Sequence, residues 1–121
     1  MTMDKLIKNI VHEEVFSMGE QVAYMPGQIV SKTLAQNGAV SITVFAFDKG
    51  EEISTHESGG DAMVTVLDGT GEITISGKKY TLEKGGSIVM PANKPHAVYA
   101  AEKFKMLLTV VFQVKQAIQP K

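Results

Sequence analysis

From Ile29 onward, apolar residues come in short runs separated by turn-forming residues, at the spacing of a β-sandwich or barrel. The runs are Ile29–Ala35, Ala39–Phe47, Ala62–Leu67, Glu72–Ser76, Lys79–Glu83, Ser87–Pro91, His96–Ala100 and Phe104–Val114. Between them lie Gln36-Asn37-Gly38, Asp48-Lys49-Gly50 and Asp68-Gly69-Thr70-Gly71. Gly77 marks a tight turn between Glu72–Ser76 and Lys79–Glu83, and Asp68–Gly71 reads as another hairpin turn. Pro26-Gly27 fits the two central positions of a β-turn. Before it, Leu6, Ile7, Ile10 and Val11 have helical spacing, which predicts a short amphipathic helix from Asp4 to about Val15, with a terminal strand as the alternative.

Some runs, such as Ala62–Leu67 and Phe104–Phe112, are apolar at successive positions and so on both faces. One face fills the interior, and the other needs a second sheet or a second subunit. A homodimer through one sheet is therefore expected.

With 121 residues, 44% hydrophobic and 21% charged, the chain fits one globular domain spanning residues 1–121. A net charge of −1 provides no cationic field for nucleic acid and no basic run for a membrane surface. Runs such as Met106–Phe112 are too short to span a bilayer. The charged N-terminal stretch lacks the apolar core of a secretory signal, so a cytoplasmic location is expected. Cysteine is absent, which removes disulfide and thiol chemistry. All 12 cationic side chains are lysines, so no arginine fork is available to clamp a diphosphate or diacid. Neither a phosphate-binding P-loop nor a Gly-x-Ser-x-Gly elbow occurs.

Two segments carry a more specific pattern. The first has Gly50, five residues, His56, one residue, Ser58, three residues, Ala62, six residues and Gly69. The second has Gly85, five residues, Pro91, Ala92, Asn93, two residues, His96, three residues and Ala100. Both resemble the paired motifs of the cupin superfamily, over residues 50–100. In that family the positions of Ser58 and Ala62 hold a second histidine and a glutamate, and those of Asn93 and Ala100 hold glycine and asparagine. Asn93 tolerates the left-handed backbone that glycine would adopt. The resemblance implies an all-β double-stranded β-helix, a jelly-roll barrel with a pocket at one mouth.

The resemblance places His56, Ser58, Ala62 and His96 at that pocket, of which the two histidines suit a metal. Alternation puts Glu57 on the opposite face from His56 and Ser58. Asp61 would complete a tentative set with His56 and His96 if a bulge near Gly59-Gly60 turned it inward. A divalent zinc, iron, manganese or nickel ion would then be weakly held, since catalytic sites for such ions use three protein ligands. His12 is expected on the surface, and Met63, Met90 and Met106 as core filler that also suits an adaptable pocket. Lys105 is expected to extend to solvent.

Three functions remain open at this level. One is binding of a small organic ligand in the barrel mouth with the two histidines as anchors. Another is a metal-dependent isomerase, lyase or dioxygenase. The last is a dimeric structural protein with a vestigial pocket. The fold by itself does not choose among them.

Overall fold

A computed structural model describes residues 5–114. Eight strands follow a 3-10 turn at Met18–Gln21. They are β1 (Ile29–Gln36), β2 (Val40–Phe47), β3 (Glu52–His56), β4 (Asp61–Ile75), β5 (Lys78–Glu83), β6 (Ser87–Met90), β7 (His96–Tyr99) and β8 (Phe104–Val111). All pairings are antiparallel. One sheet runs β1-β2-β8-β4-β6, and a second runs β5-β4-β7-β3. β4 belongs to both. Its first half pairs with β8 and β6, and its second half with β5 and β7.

The alternation of β4 explains the core. Ala62, Val64, Val66 and Ile73 point inward and are buried, while Met63 and Asp68 face out. They meet Phe47, Leu82, Met90, Val98, Phe104 and Met106 between the sheets. The rings of Phe47 and Phe104 stack with centroids 4.7 Å apart.

Asp68–Gly71 is not the hairpin turn its composition suggests; it is a bend within β4, where the strand passes from one sheet to the other. A register shift between Val66 and Asp68 marks a bulge there, and bulges bend strands. Gly69 has φ +71°, and a Cβ on Gly71 would lie 2.6 Å from the Phe104 ring. These glycines let the strand turn over a buried aromatic side chain.

The N-terminal helix does not form. Residues 5–15 follow an irregular path; Asp4 lies outside the described residues. Asn9 and Glu13 have φ near +60°, which interrupts a helix. Polar groups of the segment bond β1 instead: Lys8 N–H donates to Leu34 O at 2.6 Å and Asn9 Nδ2 to Thr33 O at 2.7 Å. The only helical piece among the described residues is the 3-10 turn.

The outer face of the first sheet is covered in part by the chain itself. Val22 packs with Val44 and Ala46 of β2, with Met18, Tyr24, Val30, Leu67 and Leu107 around them. Tyr24 Oη donates to Asp68 Oδ2 at 2.5 Å, and the Lys103 and Lys105 ammonium groups lie 4.9 and 5.0 Å from its ring centroid. Burial and the Asp68 carboxylate both push the Tyr24 hydroxyl pKa up. Lys105 does not enter the barrel; its ammonium donates to Gly19 O at 2.7 Å. No helix among the described residues is long and apolar enough to cross a membrane.

Candidate functional site in the barrel mouth

His56 ends β3 and His96 begins β7, and the two are paired across the β3–β7 ladder. Two further bonds hold this end of the barrel. Asn93 N–H donates to Ser58 O at 2.8 Å, which joins the loop before β7 to the loop after β3. Asn93 adopts φ +64°, the left-handed backbone its position requires. Asp61 Oδ1 accepts the Ala92 N–H at 2.8 Å.

The ladder brings the imidazoles together, Nε2 to Nε2 at 3.1 Å, with ring planes inclined at 71°. His96 is 3% exposed and His56 is exposed, so one ring lies beneath the other at the opening. A cavity of about 100 Å³ lies beside them, lined by Ser58, Ala62 and the apolar side chains of Ile53, Val98, Met90 and Met106. Leu108 and Val110 complete its wall.

The backbone fixes how these rings present their nitrogens. Nδ1 of His56 faces Ser54 O at 3.0 Å, and Nδ1 of His96 faces Lys94 O at 3.2 Å. A carbonyl only accepts, so a ring that keeps its carbonyl bond carries the proton on Nδ1 and, when neutral, leaves its Nε2 as a bare lone pair. Two lone pairs then face each other. The conflict is relieved by an extra proton between the rings, by a tautomer change that gives up one carbonyl bond, or by a cation. Burial, followed by the positive charge of a protonated His56, lowers the pKa of His96; the Lys94 carbonyl opposes this more weakly. Adding a proton to the buried ring is therefore disfavoured.

The other sequence-derived positions divide. Ser58 and Ala62 line the cavity with the histidines. Ser58 Oγ accepts the Gly60 N–H at 3.2 Å. Asp61 is exposed and bonded to Ala92 N–H, outside the cavity lining, and Gly60 is buried so tightly that a Cβ would lie 2.6 Å from Val111 O. Among the described residues, no three His, Cys, Asp or Glu side chains are grouped to hold a metal. Two imidazoles each donating Nδ1–H to a carbonyl have the outer-shell arrangement of metal-ligating histidines. The complete three-ligand set of a catalytic zinc or non-haem iron centre is not assembled by these side chains. The carbonyls that face both Nδ1 atoms are placed by the fold, and no residue type in the sequence marks them.

The cupin domain family matches residues 43–112. The chain belongs to the cupin family. A conserved protein of unknown function from Streptococcus pyogenes is 46% identical, with a TM-score of 0.91 over 94% of this chain and 100% of that one. A cupin superfamily protein from Desulfitobacterium hafniense is 31% identical, with a TM-score of 0.84 over 88% of this chain and 98% of that one. A cupin 2 conserved barrel domain protein from Leptotrichia buccalis is 47% identical, with a TM-score of 0.78 over 79% of this chain and 47% of that one. This cupin thus spans about half of the Leptotrichia chain. Among curated proteins none matches.

Proposed function

We propose that this cupin is a binding protein whose barrel mouth takes one small, largely apolar organic molecule, anchored by His56 and His96. The observation that carries this reading is a cavity walled mainly by aliphatic and thioether side chains, with two oriented imidazole nitrogens at its opening. Pockets for drug-sized ligands run to about 300–1,000 Å³. At about 100 Å³, this one suits an occupant of few heavy atoms. The facing lone pairs favour a molecule with a hydrogen-bond donor, such as a hydroxyl or amide, at one end. Ala62 in place of a carboxylate leaves that end of the chamber uncharged, which favours binding over metal-dependent turnover. A divalent ion here would rest on two imidazoles and water, and would be weakly held.

A library of small alcohols, amides and phenols, screened against metal-free protein by NMR, tests the proposal. Binders should shift the methyl resonances of Met90 and Met106 and lose affinity in H56A. Failure of every such fragment to perturb those methyls would overturn the reading.

We also propose that two copies associate through the outer face of the first sheet. Met63 and Val89 are direct neighbours in the β4–β6 ladder and both are exposed, as is Val111 on β8. Nearby, Ile7, Val11 and Phe16 border a groove of about 410 Å³ with Leu34, Ile42 and Leu107. Exposed apolar surface of this kind is characteristic of protein contacts.

A further inference from the structure

We infer that the free edge of β5 is a docking site for an extended acidic segment of another protein, which adds to the second sheet as a further strand. The site lies apart from the barrel mouth and from the outer face of the first sheet, and the inference rests on neither of those readings.

The backbone supplies the first observation. Among the described residues β5 pairs with β4 alone, so its other side is a sheet edge. Ser76-Gly77 is a two-residue turn with positive φ at both positions, which makes Ile75 and Lys78 a hydrogen-bonded pair. Alternation then turns the N–H and C=O groups of Lys79, Thr81 and Glu83 away from β4, and all three residues are exposed. Groups at this repeat are what an added strand bonds.

The second observation is a recess at the end of this edge. Val66 N–H donates to Gly86 O at 3.0 Å and Gly85 N–H to Val66 O at 2.8 Å, so two residues oppose one. This bulge bends the edge between β5 and β6. An open recess of about 680 Å³ lies along the bend, lined by Tyr80, Leu82, Ser87 and Ile88 among others. Strand addition draws affinity from main-chain bonds and specificity from seats for alternate side chains. Here the seats are aliphatic and aromatic.

Charge decides the occupant. Between Lys78 and Ile88 stand three lysines and one glutamate. Lys79 is drawn to Glu72 of β4 at 3.2 Å, which leaves Lys78 and Lys84 at the two ends of the edge. Neither has a salt-bridge partner among the described residues. Edge lysines discourage pairing with a second copy of the same edge. An acidic strand meets no such repulsion and is attracted by the same two ammonium groups.

The test titrates the full chain with acetyl-Asp-Val-Glu-Ile-Asp-Val-Glu-amide, followed by amide NMR. The peptide should shift the amides of Lys79, Thr81 and Glu83 and slow their hydrogen exchange. The same pattern with lysine in place of each acid should bind about tenfold more weakly, and K78E/K84E should reverse that preference. An acidic peptide methylated at alternate backbone nitrogens keeps its charge but should lose binding. Unshifted β5 amides, or an unchanged preference in K78E/K84E, would overturn the inference. Equal binding of the methylated peptide would overturn it too, by reducing the contact to charge attraction. So would β5 amides that shift when the chain alone is concentrated, which would assign the edge to a second copy.

Discussion

This cupin has two apolar hollows that differ in almost every respect except composition. The inner one, of about 100 Å³, lies under His56 at the barrel mouth and is walled by strands from both sheets. The outer one, of about 410 Å³, lies between the irregular N-terminal segment and β1, β2 and β8. The larger hollow has no pair of polar groups locked toward a common point. Its one histidine, His12, turns its Nε2 to Ile7 O at 2.8 Å within the same segment. The smaller has two imidazoles oriented by backbone carbonyls. Volume therefore says little about which hollow recognises a ligand; the orientation of a few polar atoms by rigid strands says more. The inner hollow reads as a binding chamber and the outer as a contact surface.

The sharpest challenge to this contrast is at the shared core. Phe104 is fully buried and stacks on Phe47 between the sheets. F104A should cost about 4 kcal/mol in urea unfolding. A cost near zero would mean that the inner wall is not a rigid frame. Next is A62E, which returns a carboxylate to a position only 1% exposed. The metal-free protein should lose about 3 kcal/mol from burying an unpaired charge. The same variant should gain copurifying divalent metal, read by elemental analysis; a variant that stays metal-free would show that the two histidines cannot complete a hard-ion site even with the carboxylate present.

On the outer side, Y24F removes the hydroxyl that bonds Asp68 across the covering segment. It should cost about 1 kcal/mol, measured by thermal or urea unfolding. A smaller contribution comes from His96, whose pKa burial and then the charge on His56 hold below the ordinary 6.5. The unfolded chain binds more protons in the window below 6.5. Stability should therefore be fully present above that value and decline as pH falls through the depressed folded value. H96N should flatten that part of the pH–stability curve, and an unchanged curve would assign the slope to other groups. The least effect on the isolated chain is expected from F16E in the outer groove, within about 0.5 kcal/mol at concentrations where the wild type is monomeric. Yet it should shift sedimentation from dimer to monomer at micromolar concentration. A wild type that sediments only as monomer would remove the contact-surface reading and leave the chamber unaffected.

How far the chain discloses these features in advance varies with how local their causes are. β1, β2, β5, β6 and β7 follow apolar runs closed by turn residues, and their limits fall within about a residue of the runs. β3 has little hydropathic signal, because it is an edge strand with most of its residues exposed; only the glycine and histidine spacing marks it. Asp68–Gly71 misleads because Gly69 answers to the Lys103 carbonyl and Gly71 to the Phe104 ring, more than thirty residues away in sequence, and not to a local turn. Leu6, Ile7, Ile10 and Val11 do have helical spacing, but bonds to Thr33 and Leu34 override it. At the site, motif spacing brings His56, Ser58, Ala62 and His96 to one cavity. The outward position of Asp61 follows from strand alternation, since its neighbour Ala62 faces in. Which ring nitrogens are free depends on the carbonyls of Ser54 and Lys94, and no residue type encodes that.

The passage of β4 between the two sheets also determines where this polypeptide could be divided. A break between Gly69 and Thr70 would leave each fragment with half of a strand that both sheets share, so neither could present a finished edge to the other. A break at Ser76-Gly77, in the turn between β4 and β5, leaves β4 whole and severs only an exposed connection. Fragments 1–76 and 77–121 should therefore reassemble when coexpressed, whereas 1–69 and 70–121 should not. The long strand makes this barrel a poor candidate for assembly from two independent halves, despite its two-sheet appearance.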